Sequence, residues 1–304
     1  MTDDRYPKSF GFVLHYHLSV IIYHHPRFVP SLSSITYHLS SSLPHFILYS
    51  IVGLAALSIL AYFLQEKFIF KPEKLSADFQ FKYDSPFKEL FFDIEPGVRI
   101  NGLHFYREHP NGLILYFHGN TRSIKGWAKY ARDFYRYNYD VILLDYRGFG
   151  KSTGKRSEKE MLDDMQFIYE ELSKQYGEHH IIVYGRSMGS GFAAKIASEN
   201  KPRYLILDSP YYNFRKVVQR FLPILPVRYV LRYHLRTDKW IRSVNCHTYI
   251  IHGTKDWLIP IRHSEALQRL SPHKITLIRI HGGGHNNLPK FDEYHNFVRD
   301  ILKY

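Results

Sequence analysis

The sequence predicts an α/β fold: a mostly parallel central sheet flanked by helices, with a small lid, preceded by one transmembrane helix. Three observations carry this. Short β-branched runs alternate with helical patterns from about residue 85 onward, as buried parallel strands joined by right-handed crossovers do. One such run, Ile181 to Tyr184, leads straight into Gly185-Arg186-Ser187-Met188-Gly189 and then the small-residue segment Phe192 to Ala197. That is the order strand, sharp turn, helix. Finally, Phe46 to Leu64 runs without a charge for about the length that crosses a bilayer core.

Composition narrows the classes. The 304 residues suit one large α/β unit with an appendage, and a 45% hydrophobic fraction is ordinary for a folded chain. One cysteine, Cys246, excludes an intrachain disulfide. The 19 histidines scatter without metal-ligand spacing, so neither metal nor cofactor is expected. A formal charge of +13 favours anionic partners. With no nucleic-acid-binding motif beside it, a membrane surface is the better match.

Residues 1–45, rich in His, Tyr, Ser and Pro, read as a poorly ordered extension. The run 46–64 follows as a transmembrane helix, because a core helix would not be apolar on every face. Three lysines, Lys67, Lys71 and Lys74, come after the span, and no Lys or Arg lies in the fifteen residues before it. The positive-inside rule then puts the C-terminal domain in the cytoplasm. Residues 65–84 read as a juxtamembrane linker and 85–304 as the folded α/β domain.

Within that domain strands are predicted at Glu89–Ile94, Ile100–Tyr106, Leu113–Phe117, Val141–Leu144, 181–184, Tyr204–Leu207, Thr248–Ile251 and Ile275–Ile280. A helix from Ser157 to Tyr176 starts on the capping box Ser157-Glu158-Lys159-Glu160. Its Met161, Met165, Ile168 and Leu172 form an apolar stripe that belongs to the core. Further helices are expected near Arg262–Leu270 and at the C-terminal end.

A serine hydroxyl at neutral pH needs a base for its proton, an acid to orient that base, and donors for the developing oxyanion. Ser187 sits on the tight turn, where Gly185 and Gly189 fit and larger residues would clash. Asp256 follows strand 248–251 and His285 follows strand 275–280, so both belong at carboxyl ends of strands, where open α/β sheets place their chemistry. Asp208 is a rival acid at another strand end, and Asp145 is expected to stabilise its own turn. The oxyanion donors would be the backbone N–H of Met188 and that of Asn120 in His118-Gly119-Asn120. His118 reads as a structural histidine bonding its own turn.

Taken together, His118-Gly119-Asn120, Asp145-Tyr146-Arg147-Gly148-Phe149-Gly150-Lys151-Ser152, Gly185-Arg186-Ser187-Met188-Gly189, His252-Gly253-Thr254-Lys255-Asp256 and Gly284-His285 resemble the α/β-hydrolase superfamily. The likeness is greatest to its serine-aminopeptidase-like branch, which includes membrane-anchored hydrolases and depalmitoylases. The resemblance covers about residues 85–304. It implies the α/β-hydrolase fold and a serine hydrolase that cleaves through an acyl-enzyme, with Ser187, His285 and Asp256 as triad, but no particular substrate.

The enlarged crossover at about 209–241 reads as the lid. It is rich in Arg and Lys, and Arg228, Arg232 and Arg236 at i, i+4 and i+8 are expected on one helix face. That face could rest on anionic headgroups. The expected function is a membrane-anchored hydrolase of an ester or thioester whose acyl substrate is a lipid or lipidated molecule. A serine peptidase or acyltransferase on the same triad, or a non-catalytic binding protein on this fold, are the alternatives.

Overall fold

The computed structural model describes residues 32–303, with side chains from residue 43. Much of the expected N-terminal extension therefore lies outside the described residues. Where they begin, the chain is already helical: α1 spans Leu32–Ile69, with Pro44 inside it, so residues 32–45 belong to a helix and not to an irregular tail. The described chain divides into two compact units at Val52 and Gly53. Within α1, Leu43–Ile69 is long and apolar enough to cross a membrane, and none of its most apolar stretch is buried against protein.

The segment expected as a linker is largely built in. Strand β1 (Lys71–Pro72) follows α1 at once, and β2 (Phe87–Glu95) and β3 (Val98–Phe105) form an antiparallel hairpin. Next come β4 (Leu113–Phe117), the two-residue β5 (Thr121–Arg122), the short helices α2 (Ile124–Trp127) and α3 (Arg132–Tyr135), and β6 (Asp140–Leu144). Helix α4 (Glu158–Tyr176) leads to β7 (Ile181–Arg186), α5 (Gly189–Glu199) and β8 (Tyr204–Asp208). The crossover holds α6 (Phe214–Phe221), α7 (Val227–Val230) and α8 (Thr237–Trp240). The chain ends with β9 (His247–Gly253), α9 (Arg262–Gln268), β10 (Ile275–Ile280) and α10 (Asp292–Leu302).

Eight strands form one sheet in the order β10-β9-β8-β7-β4-β6-β3-β2. The pairs from β10 across to β6 are parallel, and β3 and β2 join antiparallel at one edge. The central strands β4, β6 and β7 are buried at every position, which accounts for continuous apolar runs such as Leu113-Ile114-Leu115. Apolar layers cover both faces. Met161, Ile168, Phe192 and Ile196 lie in one, and Phe134, Tyr184, Tyr294 and Val298 in the other.

The capping box forms as the sequence suggests. Ser157 Oγ accepts from the backbone N–H of Glu160 at 3.2 Å and donates to its carboxylate at 3.0 Å. Replacing Ser157 with Ala is expected to cost about 1 kcal/mol, read as a small drop in Tm with activity unchanged.

The basic crossover departs from expectation. Arg228, Arg232 and Arg236 share no helix face, because α7 ends at Val230 and Arg236 only precedes α8. Gln65 of α1 captures the backbone where α7 ends, at the Val230 carbonyl and the Arg232 N–H. Arg232 pairs with Glu66 at 3.0 Å and Arg236 with Asp238 at 2.8 Å.

Candidate active site

The turn between β7 and α5 follows from two close approaches. A Cβ on Gly189 would lie 2.0 Å from the carbonyl oxygen of Phe117, and one on Gly185 would lie 2.4 Å from that of Gly189. Neither position admits a side chain. Ser187 between them has φ +52°, the left-handed region that a non-glycine residue holds only under constraint from its surroundings. Its N–H donates to the Asp208 carbonyl at 2.8 Å, fixing the corner to β8.

Ser187 Oγ lies 2.9 Å from His285 Nε2, and His285 Nδ1 lies 2.7 Å from Asp256 Oδ2. The carboxylate beyond Nδ1 fixes the proton there, which leaves Nε2 to accept from the hydroxyl. These three residues come from the ends of β7, β9 and β10, all at one rim of the sheet. The loops bearing Asp256 and His285 are joined directly, since the Lys255 N–H donates to the Gly283 carbonyl at 2.8 Å.

Asp256 is held on both oxygens. Oδ1 accepts from the N–H groups of Leu258 at 3.0 Å and Ile259 at 2.9 Å. Oδ2 faces His285 and, at 3.2 Å, Nε2 of buried His252. Burial alone would raise its pKa, but the hydrogen bonds from His252, His285 and Ile259 outweigh it and hold the carboxyl well below the usual range. His252 is fixed in turn, with Nδ1 2.6 Å from Ser264 Oγ and Nε2 2.7 Å from the Ile259 carbonyl.

The other candidates sit elsewhere. Asp208 is turned to Tyr184 Oη at 2.9 Å, Ser209 Oγ at 3.0 Å and Arg186 Nε at 3.5 Å, and not to His285. Asp145 Oδ1 accepts from the Ile124 N–H at 3.0 Å and lies 3.1 Å from His118 Nε2, tying the loop after β4 to the loop after β6. His118 is fully buried in that role, and its Nδ1 contacts the Gly119 carbonyl at 2.6 Å.

Gly119 passes beside the nucleophile, for a Cβ placed there would lie 3.7 Å from Ser187 Cβ. Asn120 comes next, with its side-chain amide donating away from the site to the Ile69 carbonyl at 2.5 Å. Its own carbonyl accepts from the Lys71 N–H at 2.9 Å. The bracing continues outward, because β1 pairs with β5, Glu73 accepts from Ser123 Oγ at 2.9 Å, and the Gly150 N–H donates to the Glu73 carbonyl at 2.8 Å. Met188 adopts helical backbone angles at the head of α5.

Arg186 and His252 are supporting residues that sequence reasoning missed. Arg186 is buried under Trp127 and Tyr130, its guanidinium carbon 5.4 Å and 4.7 Å from their ring centroids. Its Nη2 donates to the carbonyl of His285 at 3.2 Å, so the charged residue beside Ser187 also holds the backbone of the histidine. The only local signal was a charge placed at the end of a buried strand.

A mostly parallel sheet whose central strand ends in a glycine-flanked serine elbow, with a histidine and an acid from later strand ends beside it, defines a class. The chain has the α/β-hydrolase fold. Residues 108–240 match the family model described as serine aminopeptidase, S33. The lysophosphatidylserine lipase ABHD12 of Danio rerio is 27% identical over 229 residues, covering 66% of this chain and 59% of that protein. The chain thus spans less than two thirds of that relative's length. The human alpha/beta hydrolase domain-containing protein 17C is 27% identical over 221 residues, 71% of this chain and 66% of that protein. Among solved structures, the Pyrococcus furiosus esterase Pf2001 superposes with a TM-score of 0.59 at 21% identity, covering 77% of this chain and 97% of that one.

Proposed function

We propose that this hydrolase is a membrane-anchored serine hydrolase that cleaves an ester or thioester through an acyl-enzyme. Ser187 attacks the acyl carbon while His285 takes its proton. His285 then protonates the leaving group and activates the water that releases the acyl chain. Asp256 stays ionised, orients the imidazole and stabilises the imidazolium. The N–H groups of Met188 and Asn120 would receive the oxyanion.

The observation that carries this reading is the unbroken chain of contacts Asp256–His285–Ser187, with the acid secured on both oxygens. The names of the lipase and esterase relatives support ester chemistry. Support for the anchor comes from the exposed apolar run ahead of Gln65, and Lys67, Lys71 and Lys74 favour a cytoplasmic catalytic domain.

A fluorophosphonate probe is expected to label the full chain, with labelling lost in Ser187→Ala. A graded panel of p-nitrophenyl esters and acyl-thioesters would set chain length and bond type. Persistent labelling of Ser187→Ala at the same rate would remove Ser187 as nucleophile.

A further inference from the structure

Among the described residues, large apolar side chains are exposed both along the run ahead of Gln65 and on the lid. Seven large apolar side chains beyond Phe68 are exposed, and four of them, Phe221, Leu222, Ile224 and Tyr229, lie within nine residues at the tip of the crossover. Ile224 is 80% and Tyr229 78% exposed. Single exposed apolar residues need no explanation, but a cluster of this kind marks a contact surface. The tip is held in shape, not frayed. Gln219 Nε2 donates to the carbonyls of Leu222, Pro223 and Leu225 at 3.0, 3.0 and 3.2 Å, and Leu225 and Val227 are buried beneath it.

Position decides what the tip meets. Gln65, the first polar residue after the apolar run, donates through Nε2 to the Val230 carbonyl at 3.1 Å and accepts from the Arg232 N–H at 2.8 Å. Glu66 follows, accepting from Tyr233 Oη at 2.8 Å and pairing with Arg232 at 3.0 Å. The crossover is thus bolted to the helix just past its uncharged run, Phe46 to Leu64. With the run preceding Gln65 in hydrocarbon, Val230 and its neighbour Tyr229 stand at the headgroup layer. Charge agrees with this placement. Arg215, Arg220 and Arg228 flank the tip, are exposed, and form no ion pair among the described residues. Basic residues beside an apolar tip suit an anionic bilayer surface.

We infer that the crossover tip, Phe221 to Tyr229, inserts into the headgroup layer of the same membrane that α1 crosses, and that this holds the catalytic rim against the lipid. The active site is near enough to gain by it. Ile69, whose carbonyl Asn120 binds, is five residues beyond Leu64, about 7–8 Å along the helix axis. The loop bearing Asn120 is thereby held close to the level of the bilayer surface. This inference rests on the anchor and the hydrolase reading proposed above, and its test separates the three.

Nitroxide labels at single cysteines introduced at Ile224, Ser58 and Asn111, with Cys246→Ser, are read in the full chain reconstituted in phosphatidylcholine–phosphatidylserine vesicles. The label at 224 is expected to meet lipid-soluble oxygen more than a water-soluble nickel chelate, as the label at 58 does, and the label at 111 the reverse. If 224 behaves like 111 while 58 reads lipid, docking is wrong although the span stands; if 58 also reads water, span and docking fall together. These readings do not depend on turnover. In parallel, Ile224→Asp is expected to lower hydrolysis of vesicle-borne p-nitrophenyl palmitate about ten-fold, with p-nitrophenyl acetate hydrolysis unchanged. Equal loss on both esters would overturn the assignment, because the tip would then serve folding or chemistry and not lipid contact.

Discussion

Asp256→Asn is expected to lower kcat for a soluble ester by about four orders of magnitude, with a lowered Tm as the ionised contact to His252 is lost. The reason lies in the turn. The N–H groups of Leu258 and Ile259 require an oxygen at the Oδ1 position, so the new amide nitrogen must take the place of Oδ2. There it faces Nδ1 of His285 and donates to it. The imidazole is forced to carry its proton on Nε2, where it can no longer accept from Ser187. Asp208→Asn should act differently, loosening Tyr184, Ser209 and Arg186 and lowering stability before turnover. Steady-state kinetics and thermal melts of the two variants decide the matter. A greater loss of kcat in a well-folded Asp208→Asn would move the acid to position 208.

The second large effect concerns the segment between helix and sheet. A chain lacking residues 1–64 is expected to keep its turnover of p-nitrophenyl acetate. One lacking residues 1–75 should lose two to three orders of magnitude in kcat, the usual worth of one oxyanion donor. The longer deletion removes the Ile69 carbonyl that binds the Asn120 amide, the Lys71 N–H on the Asn120 carbonyl, and the β1 partner of β5. It also removes buried Phe70, which packs edge-on to Tyr233 with ring centroids 4.8 Å apart, a loss of about 3–5 kcal/mol. Asn120→Ala in the full chain separates the two contributions, because it keeps Phe70 and breaks only the amide contact. A fall in kcat at unchanged Tm is the expected result there. If deletion to residue 75 leaves kcat intact, the loop after β4 holds itself in place.

The strands, the elbow and the order serine, acid, histidine were legible because each rests on a local cause. Continuous apolar runs mark buried parallel strands, and only glycine fits beside Ser187. The lid helix was misread for an equally physical reason. Spacing at i, i+4 and i+8 assumes that helix continues, whereas α7 ends at Val230, where Gln65 takes the Val230 carbonyl and the Arg232 N–H. Two-residue strands such as β1 and β5 have no period to detect, so residues 69–75 looked like linker. Arg186 and His252 are defined by contacts with residues far along the chain, Tyr130 and His285 for one and Ser264 and Asp256 for the other. No window on the sequence contains those pairs.

If α1 anchors the hydrolase as proposed, the pairing of β1 with β5 bears on how it could be released from a membrane. A protease that cut between Ile69 and Leu75 would shed a domain already stripped of the support beneath its catalytic loop, so liberation would silence it. An active soluble pool could arise only from scission ahead of Gln65. Scission within 69–75 would thus cost attachment and competence together.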